Sequence, residues 1–208
     1  MNNELINPSS SPLPTNQSAE KIVNVERVDS INQTNQYYMM GALPGLPGST
    51  PTPPLFSHDF YNLFVYGQEP FHTAGHITFE KDRCLMNENY IDPELKRRFS
   101  PLSDEAIAEL KTFPCIIACE NKHYGWTDED HYASIGQLLD VKIRSNGIEV
   151  YFLPHFAVSQ ARLSDLAPQL GLGYVRKFNE FNHSHWTVKA IDLLEVINDA
   201  GLNPYGRR

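Results

Sequence analysis

The sequence predicts an α+β fold: a small, curved, mainly antiparallel sheet or open β-barrel, flanked by helices and preceded by a disordered N-terminal tail. Three observations predict it. The clearest chain reversal is an antiparallel hairpin, YASIGQLLDVKIRSNGIEVYFLP, residues 132–154, with Asn146-Gly147 at its turn. The other strand-like and helical runs do not alternate as repeated βαβ units. Residues 1–20 are rich in Ser, Asn and Pro, and residues 39–56 in Pro and Gly.

The tail has three parts. Residues 1–20 have the composition of a disordered segment. In residues 21–38, KIVNVERVDSINQTNQYY, Val23 and Val25 alternate, Val28 and Ile31 follow at a spacing of three, and Asn and Gln crowd the end, which predicts an isolated β-prone segment. Such a segment cannot bury its own apolar face, so it is expected to dock back on the domain or to pair with another chain. The Pro/Gly-rich run that follows, through residue 56, reads as a linker. A single domain is expected over 57–208.

Within that domain DFYNLFVYG (59–67) reads as a first strand and GHITFEKDRCLM (75–86) as a second. LSDEAIAELKTF (102–113) predicts a helix. Ser103 is its N-cap, Asp104 and Glu105 occupy its first turn, and Pro114 ends it. CIIACE (115–120) is a buried strand, and Cys115 and Cys119 share one of its faces. The hairpin turn asks for positive φ at both Asn146 and Gly147. LSDLAPQLGL (163–172) predicts a helix with Ser164 as cap and Gly171 as stop. HWTVKAI (185–191) is the last strand, with Trp186 and Val188 on one side and His185, Thr187 and Lys189 on the other. DLLEVINDAGLNP (192–204) closes the chain as a helix stopped by Gly201 and Pro204.

Composition removes several function classes. The formal net charge is −8 and the isoelectric point is about 5.4. Extensive nucleic-acid binding needs a basic face, so no such surface is expected. No apolar run approaches the roughly 20 residues of a membrane span. The opening MNNELINPSSSPLP has neither the basic nor the apolar part of a signal peptide. Three cysteines with no CxxC pair suit a reducing compartment and buried, inert thiols. A soluble cytoplasmic protein is expected.

Two constellations hold most of the chemistry-bearing side chains. HYGWTDEDHYASIG (123–136) supplies His123, Trp126, Asp128, Glu129, Asp130 and His131. EFNHSHWTVKAIDL (180–193) supplies His183, His185, Trp186 and Lys189. A metal-dependent hydrolase acting on a nucleotide or nucleic acid would draw on His123, Asp128, Asp130, His131 and His185. No HExxH, GxSxG or phosphate-loop pattern accompanies them, so the pattern assigns no catalytic residue and specifies no cofactor. Lys81, Asp82 and Arg83 form a charged strand end, read as a solvated turn with an anion contact as the alternative. Trp126, Tyr132, Phe178, Phe181 and Trp186 flank Arg176, Asn179, Asn182 and Lys189. That mixture suits a pocket for a planar or anionic ligand, and Trp126, Asn182, His185, Trp186 and Lys189 are the candidate binding set.

PLSDEAIAELKTFPCIIACEN, ASIGQLLDVKIRSNGIEVYF and EFNHSHWTVKAIDLLEVI together resemble a family of bacterial domains, over roughly residues 57–200. Its last segment reads like LNRTHWAIKDIDLFEVL. Asn182, His185, Trp186, Lys189, Asp192 and Leu193 match that pattern, whereas His183 stands where the family tends to carry arginine. The resemblance implies company with Toll/interleukin-receptor-like or STAND NTPase modules and a place in bacterial immune signalling. It implies no reaction, and it shifts weight from His183 to Asn182, His185 and Lys189. The expectation is a non-enzymatic sensor or adaptor of an antiphage-type system. Its partner would be an effector or NTPase module, or a second copy met through residues 21–38. The alternatives are the hydrolase and a nucleotide receptor. In either case Asn182, His185 and Lys189 must face a ligand or lock a strand end.

Overall fold

The computed structural model describes residues 56–67, 75–175 and 178–205. The β-prone segment 21–38, most of the linker and Arg176 lie outside the described residues. Among the described residues a curled, open half-barrel of mixed sheet carries four helices, as the α+β prediction requires.

The strands are β1 (Tyr61–Tyr66), β2 (His76–Phe79), β3 (Pro114–Cys119), β4 (Tyr132–Ile143), β5 (Ile148–Ser159) and β8 (His185–Lys189), in the spatial order β2-β5-β4-β3-β1-β8. A separate two-stranded pair joins β6 (Tyr174–Val175) to β7 (Phe178–Asn179). Four of the five pairings in the large sheet are antiparallel; β1 and β3 are parallel. That parallel pair is joined by a long crossover, which contains β2 and the helices α1 (Pro93–Phe99) and α2 (Asp104–Leu110).

Central strands explain the near-continuous apolar runs. In β1, Tyr61, Leu63 and Val65 pack into one core while Phe64 packs into the other. In β3, Ile116 and Ala118 face the first of these, and Cys115, Ile117 and Cys119 the second. A strand buried on both sides loses the alternation of a half-exposed one. The Phe64 face is covered by Leu95 and Phe99 of α1 and by Ala106 and Leu110 of α2. The opposite face is covered by Leu163 of α3 (Gln160–Asp165) and by Leu193 and Ile197 of α4 (Leu193–Asp199). Each large side chain fully buried this way contributes about 1.5–3 kcal/mol.

Curling comes from the β4–β5 ribbon. Its register shifts at Ile135/Gly136 and again at Leu138/Asp140, and such bulges bend a strand pair. At the first shift Gly136 lies opposite Pro154, and a Cβ on Gly136 would sit 2.5 Å from the Leu153 carbonyl oxygen, so only glycine fits. The chain leaving β2 then crosses to the far edge. Cys84 bridges to Trp186 of β8, and the Leu85 N–H donates to the Trp186 carbonyl at 2.8 Å. Leu85 adopts a φ of 58°, uncommon for leucine, while its side chain is fully buried. The core contact holds a backbone conformation that its sequence does not favour.

Several local expectations change. Asn146 does not take a positive φ; among the described non-glycine residues only Leu85 and Leu102 do. The hairpin closes through a four-residue connection, with the Arg144 N–H donating to the Gly147 carbonyl, so the two-residue turn is corrected. The second strand stops at Phe79 and passes into a 3-10 turn, Lys81–Arg83. The helix expected over 163–172 is shorter and earlier, at Gln160–Asp165, so Ser164 lies inside it and caps nothing. Helix α1 was not anticipated, although Asp92 caps it and Pro93 occupies its first turn. Helix α2 with its Ser103 cap, and α4 with Gly201 at φ 65° beyond its end, stand where the sequence puts them; the Asp192 cap of α4 was not anticipated. No helix among the described residues is long and apolar enough to cross a membrane.

Cys115 and Cys119 are buried as expected, and Cys84 is buried as well; none of the three forms a disulfide. Burial pushes the Cys84 thiol up to about 12, raises Cys115 further, and also raises the Tyr61 and Tyr90 phenols. The unfolded chain releases these protons above about pH 9 and 10, while the folded chain keeps them, so their stabilisation is lost as pH rises through that window. Burial of Lys189 acts in the opposite sense, but it is one group against four. Melting temperature should therefore hold to about pH 8 and fall steadily above pH 9. Native protein should react negligibly with a thiol reagent that titrates all three cysteines once unfolded. A melting temperature flat to about pH 11, or fast native labelling, would contradict this burial.

Candidate functional site

The segment 180–189 builds its site from a turn and a strand. Asn179 caps the 3-10 turn Glu180–Asn182 by accepting the Phe181 N–H at 3.0 Å, and Asn182 returns the favour to the Asn179 N–H. Strand β8 then alternates as its sequence predicts. Trp186 and Val188 enter the Phe64 core, while His185, Thr187 and Lys189 turn toward Tyr90 and Glu180.

Glu180 has no solvent exposure and is the centre of this face. Its Oε1 accepts from the Lys189 ammonium and from the Gly173 N–H. Its Oε2 lies 3.2 Å from His185 Nε2. Gly173 must approach closely: a Cβ there would stand 3.0 Å from Glu180 Oε1. The Tyr90 carbonyl accepts from Lys189 Nζ at 2.6 Å and from Thr187 Oγ1 at 3.1 Å, and its ring lies 4.7 Å from that of His185. His185 Nδ1 donates to the His183 carbonyl at 2.8 Å, an assignment fixed by a partner that can only accept. Burial holds Lys189 below the usual lysine range, opposed by the Glu180 charge.

The five candidate binding residues therefore occupy three places. Trp186 is 1% exposed and its Nε1 donates to Asn62 Oδ1 at 3.1 Å; Asn62 in turn donates to the Leu110 carbonyl. This indole is a core anchor. His185 and Lys189 belong to the Glu180 cluster. Asn182 and Trp126 belong to a second region, the turn at His123–Trp126.

In that turn the Asn182 amide acts as a strand partner. Its Nδ2 donates to the His123 carbonyl at 2.7 Å, and its Oδ1 accepts the Gly125 N–H at 2.9 Å. Gly125 takes a φ of 73°, which closes the turn. His123 and Trp126 stack with centroids 3.9 Å apart. Tyr124 and Trp126 remain 76% and 55% exposed, and Tyr124 faces Phe178 across 6.0 Å. The cleft between them measures about 600 Å³ and also reaches Asn121, Lys122 and Asn182. Phe181, by contrast, is fully buried in the core.

The alternative metal set does not assemble. Asp128 pairs with Lys122 at 3.0 Å and stands 3.9 Å from His123 Nε2. His131 is buried against Thr127, Asp130 is exposed, and His185 belongs to the Glu180 cluster. Among the described residues no three His, Cys, Asp or Glu side chains converge. His183 is exposed, with burial and the neighbouring His185 holding its pKa down. Of the charged strand end, Arg83 donates to the Ser184 carbonyl and to Glu80, so it braces the crossing.

Glu180, Tyr90 and Tyr124 are the residues that sequence reasoning missed. Glu180 begins the segment that drew attention, yet its partners lie five and nine positions on, a spacing with no helical or strand period. Comparison of the chain with family models, curated proteins and solved structures finds no match. The Asn182 contacts yield a direct test. Asn182→Ala should cost about 2 kcal/mol, or ~5 °C in melting temperature, and should speed hydrogen exchange at Gly125. Unchanged exchange at Gly125 would show that the turn holds itself.

Proposed function

We propose that the chain is a non-catalytic recognition module that meets a protein partner through the aromatic turn at 123–126. The observation that carries the proposal is the pairing of exposure with rigidity. Tyr124 and Trp126 are exposed, while the backbone beneath them is bonded on two sides by Asn182. Large aromatic side chains already fixed in place lose little entropy on binding and are the commonest interface anchors. The cleft between Tyr124 and Phe178 suits an apolar side chain inserted by the partner.

The disposition of polar groups favours recognition over catalysis at the motif. Asn182 and His185 spend their hydrogen-bonding atoms on the protein itself. The resemblance of the 180–193 motif supplies the setting: a sensor or adaptor in an antiphage-type bacterial signalling system, with an effector or NTPase module as partner. Residues 21–38 provide the second contact in this reading, by strand pairing with the partner or with another copy.

Capture experiments with the tagged full-length chain test it. Tyr124→Ala combined with Trp126→Ala should leave the melting temperature within about 2 °C and should weaken partner capture at least ~30-fold, the ~2 kcal/mol expected of an aromatic anchor. If the double variant retains every partner of the unaltered chain at equal affinity, the turn is not the docking element.

A further inference from the structure

The Pro/Gly-rich run at 39–56 has no charged residue and holds two Pro-x-x-Pro patterns, Pro44-Gly45-Leu46-Pro47 and Pro51-Thr52-Pro53-Pro54. We infer that Pro44–Pro47 docks in the aromatic cleft at 123–126 of its own chain, and so competes with the protein partner for that turn. The inference rests on the turn being the docking element.

The cleft has the chemistry that reads proline. A proline-rich strand carries rings in place of N–H groups and leaves its carbonyls unpaired. It is preformed as a polyproline II helix, and it binds in grooves that offer aromatic faces. Tyr124, Trp126 and Phe178 give the cleft three such rings. His123 stacks on the Trp126 indole at 3.9 Å, and the indole nevertheless remains exposed. Among the described residues neither the Tyr124 hydroxyl nor Trp126 Nε1 has a hydrogen-bond partner, so both can donate to a carbonyl. The one lysine of the lining, Lys122, is paired with Asp128 at 3.0 Å, and none of the lining residues is acidic. An uncharged segment suits that lining better than an ionic one.

The run is also long enough to reach. The described chain begins at Phe56, whose ring meets that of His155 on β5 at 5.9 Å. The Ser57 N–H donates to the Thr112 carbonyl, which sets this point level with the start of β3. The cleft opens past the other end of β3, where Asn121 and Lys122 line it. From Pro114 to Asn121 is about 23 Å at the rise of a strand. From Pro47 to Phe56 is about 28 Å at the rise of polyproline II, so the first pattern spans the distance. Pro51 stands within about 15 Å of Phe56, so the second pattern falls short. A tethered segment acts at an effective concentration of about 1 mM, enough to hold a weak motif in place.

Resonances of the full-length chain test this. The Trp126 indole N–H and the Gly125 amide report on the cleft, and the buried Trp186 indole is the internal reference. Pro44→Ala combined with Pro47→Ala changes only positions outside the described residues. It should shift both reporters and leave Trp186 unmoved. The peptide GALPGLPGST, residues 41–50, added to that variant should return the reporters toward their original positions. It should bind the variant at least ~10-fold more tightly than the unaltered chain, whose cleft is already filled. These shifts should not depend on protein concentration. Reporters that coincide in the two chains, or that ignore the peptide at about 2 mM, would overturn the inference. So would a shift that fades on dilution, because the occupant would then be a second copy. The capture experiment with Tyr124→Ala and Trp126→Ala needs neither proline, so it still decides whether the turn docks a partner if this inference fails.

Discussion

A carboxylate with no solvent exposure must be met by donors or lose its charge, and the polar order of this domain is arranged around how Glu180 is met. Lys189, His185 and the Gly173 N–H come from β8 and from the loop preceding β6. Tyr90 closes the cluster from the crossover by accepting from Lys189 and Thr187. Four separate stretches of chain are thereby held at one point. Apolar packing sets the layers of the fold, but it is indifferent to small slides of one layer over another. Directional bonds to a buried charge are not, and here they fix the edge strand β8 against the loop at 86–92.

The same strand carries two kinds of constraint on its two faces. Trp186 is anchored in the core through Asn62 and helix α2, while Lys189 is anchored in the polar cluster. Between them they hold the edge where the chain leaving β2 crosses to bridge Trp186 through Cys84. The Asn182 turn extends that order outward to the exposed rings of Tyr124 and Trp126. In this account the motif is a scaffold, and recognition takes place on what the scaffold supports.

Much of this was legible in the sequence because it is local. The Ser103 cap, the Gly201 stop, the alternation of β8 and the shared face of Cys115 and Cys119 each depend on residues within a few positions. Helix α1 carried a readable Asp92-Pro93 start that the charged run after it obscured. The hairpin turn was misread for a tertiary reason: a Cβ on Gly147 would lie 2.4 Å from the Phe79 carbonyl oxygen of the neighbouring strand. That glycine serves a close approach and not a two-residue turn. The parallel pairing of β1 with β3 and the Glu180 cluster were not legible at all. The first joins strands separated by the whole crossover, and the second brings Tyr90 from that crossover to the last strand.

A double-mutant cycle on Glu180 and Lys189 tests the central claim most directly. Denaturant unfolding would be measured for Glu180→Gln, Lys189→Met and the double variant. Each single change should cost about 3–5 kcal/mol, because each leaves an uncompensated buried group. The double variant should be less destabilised than the sum by at least about 2 kcal/mol. Strictly additive losses would contradict the claim, and would mean that the fold does not depend on how this carboxylate is met.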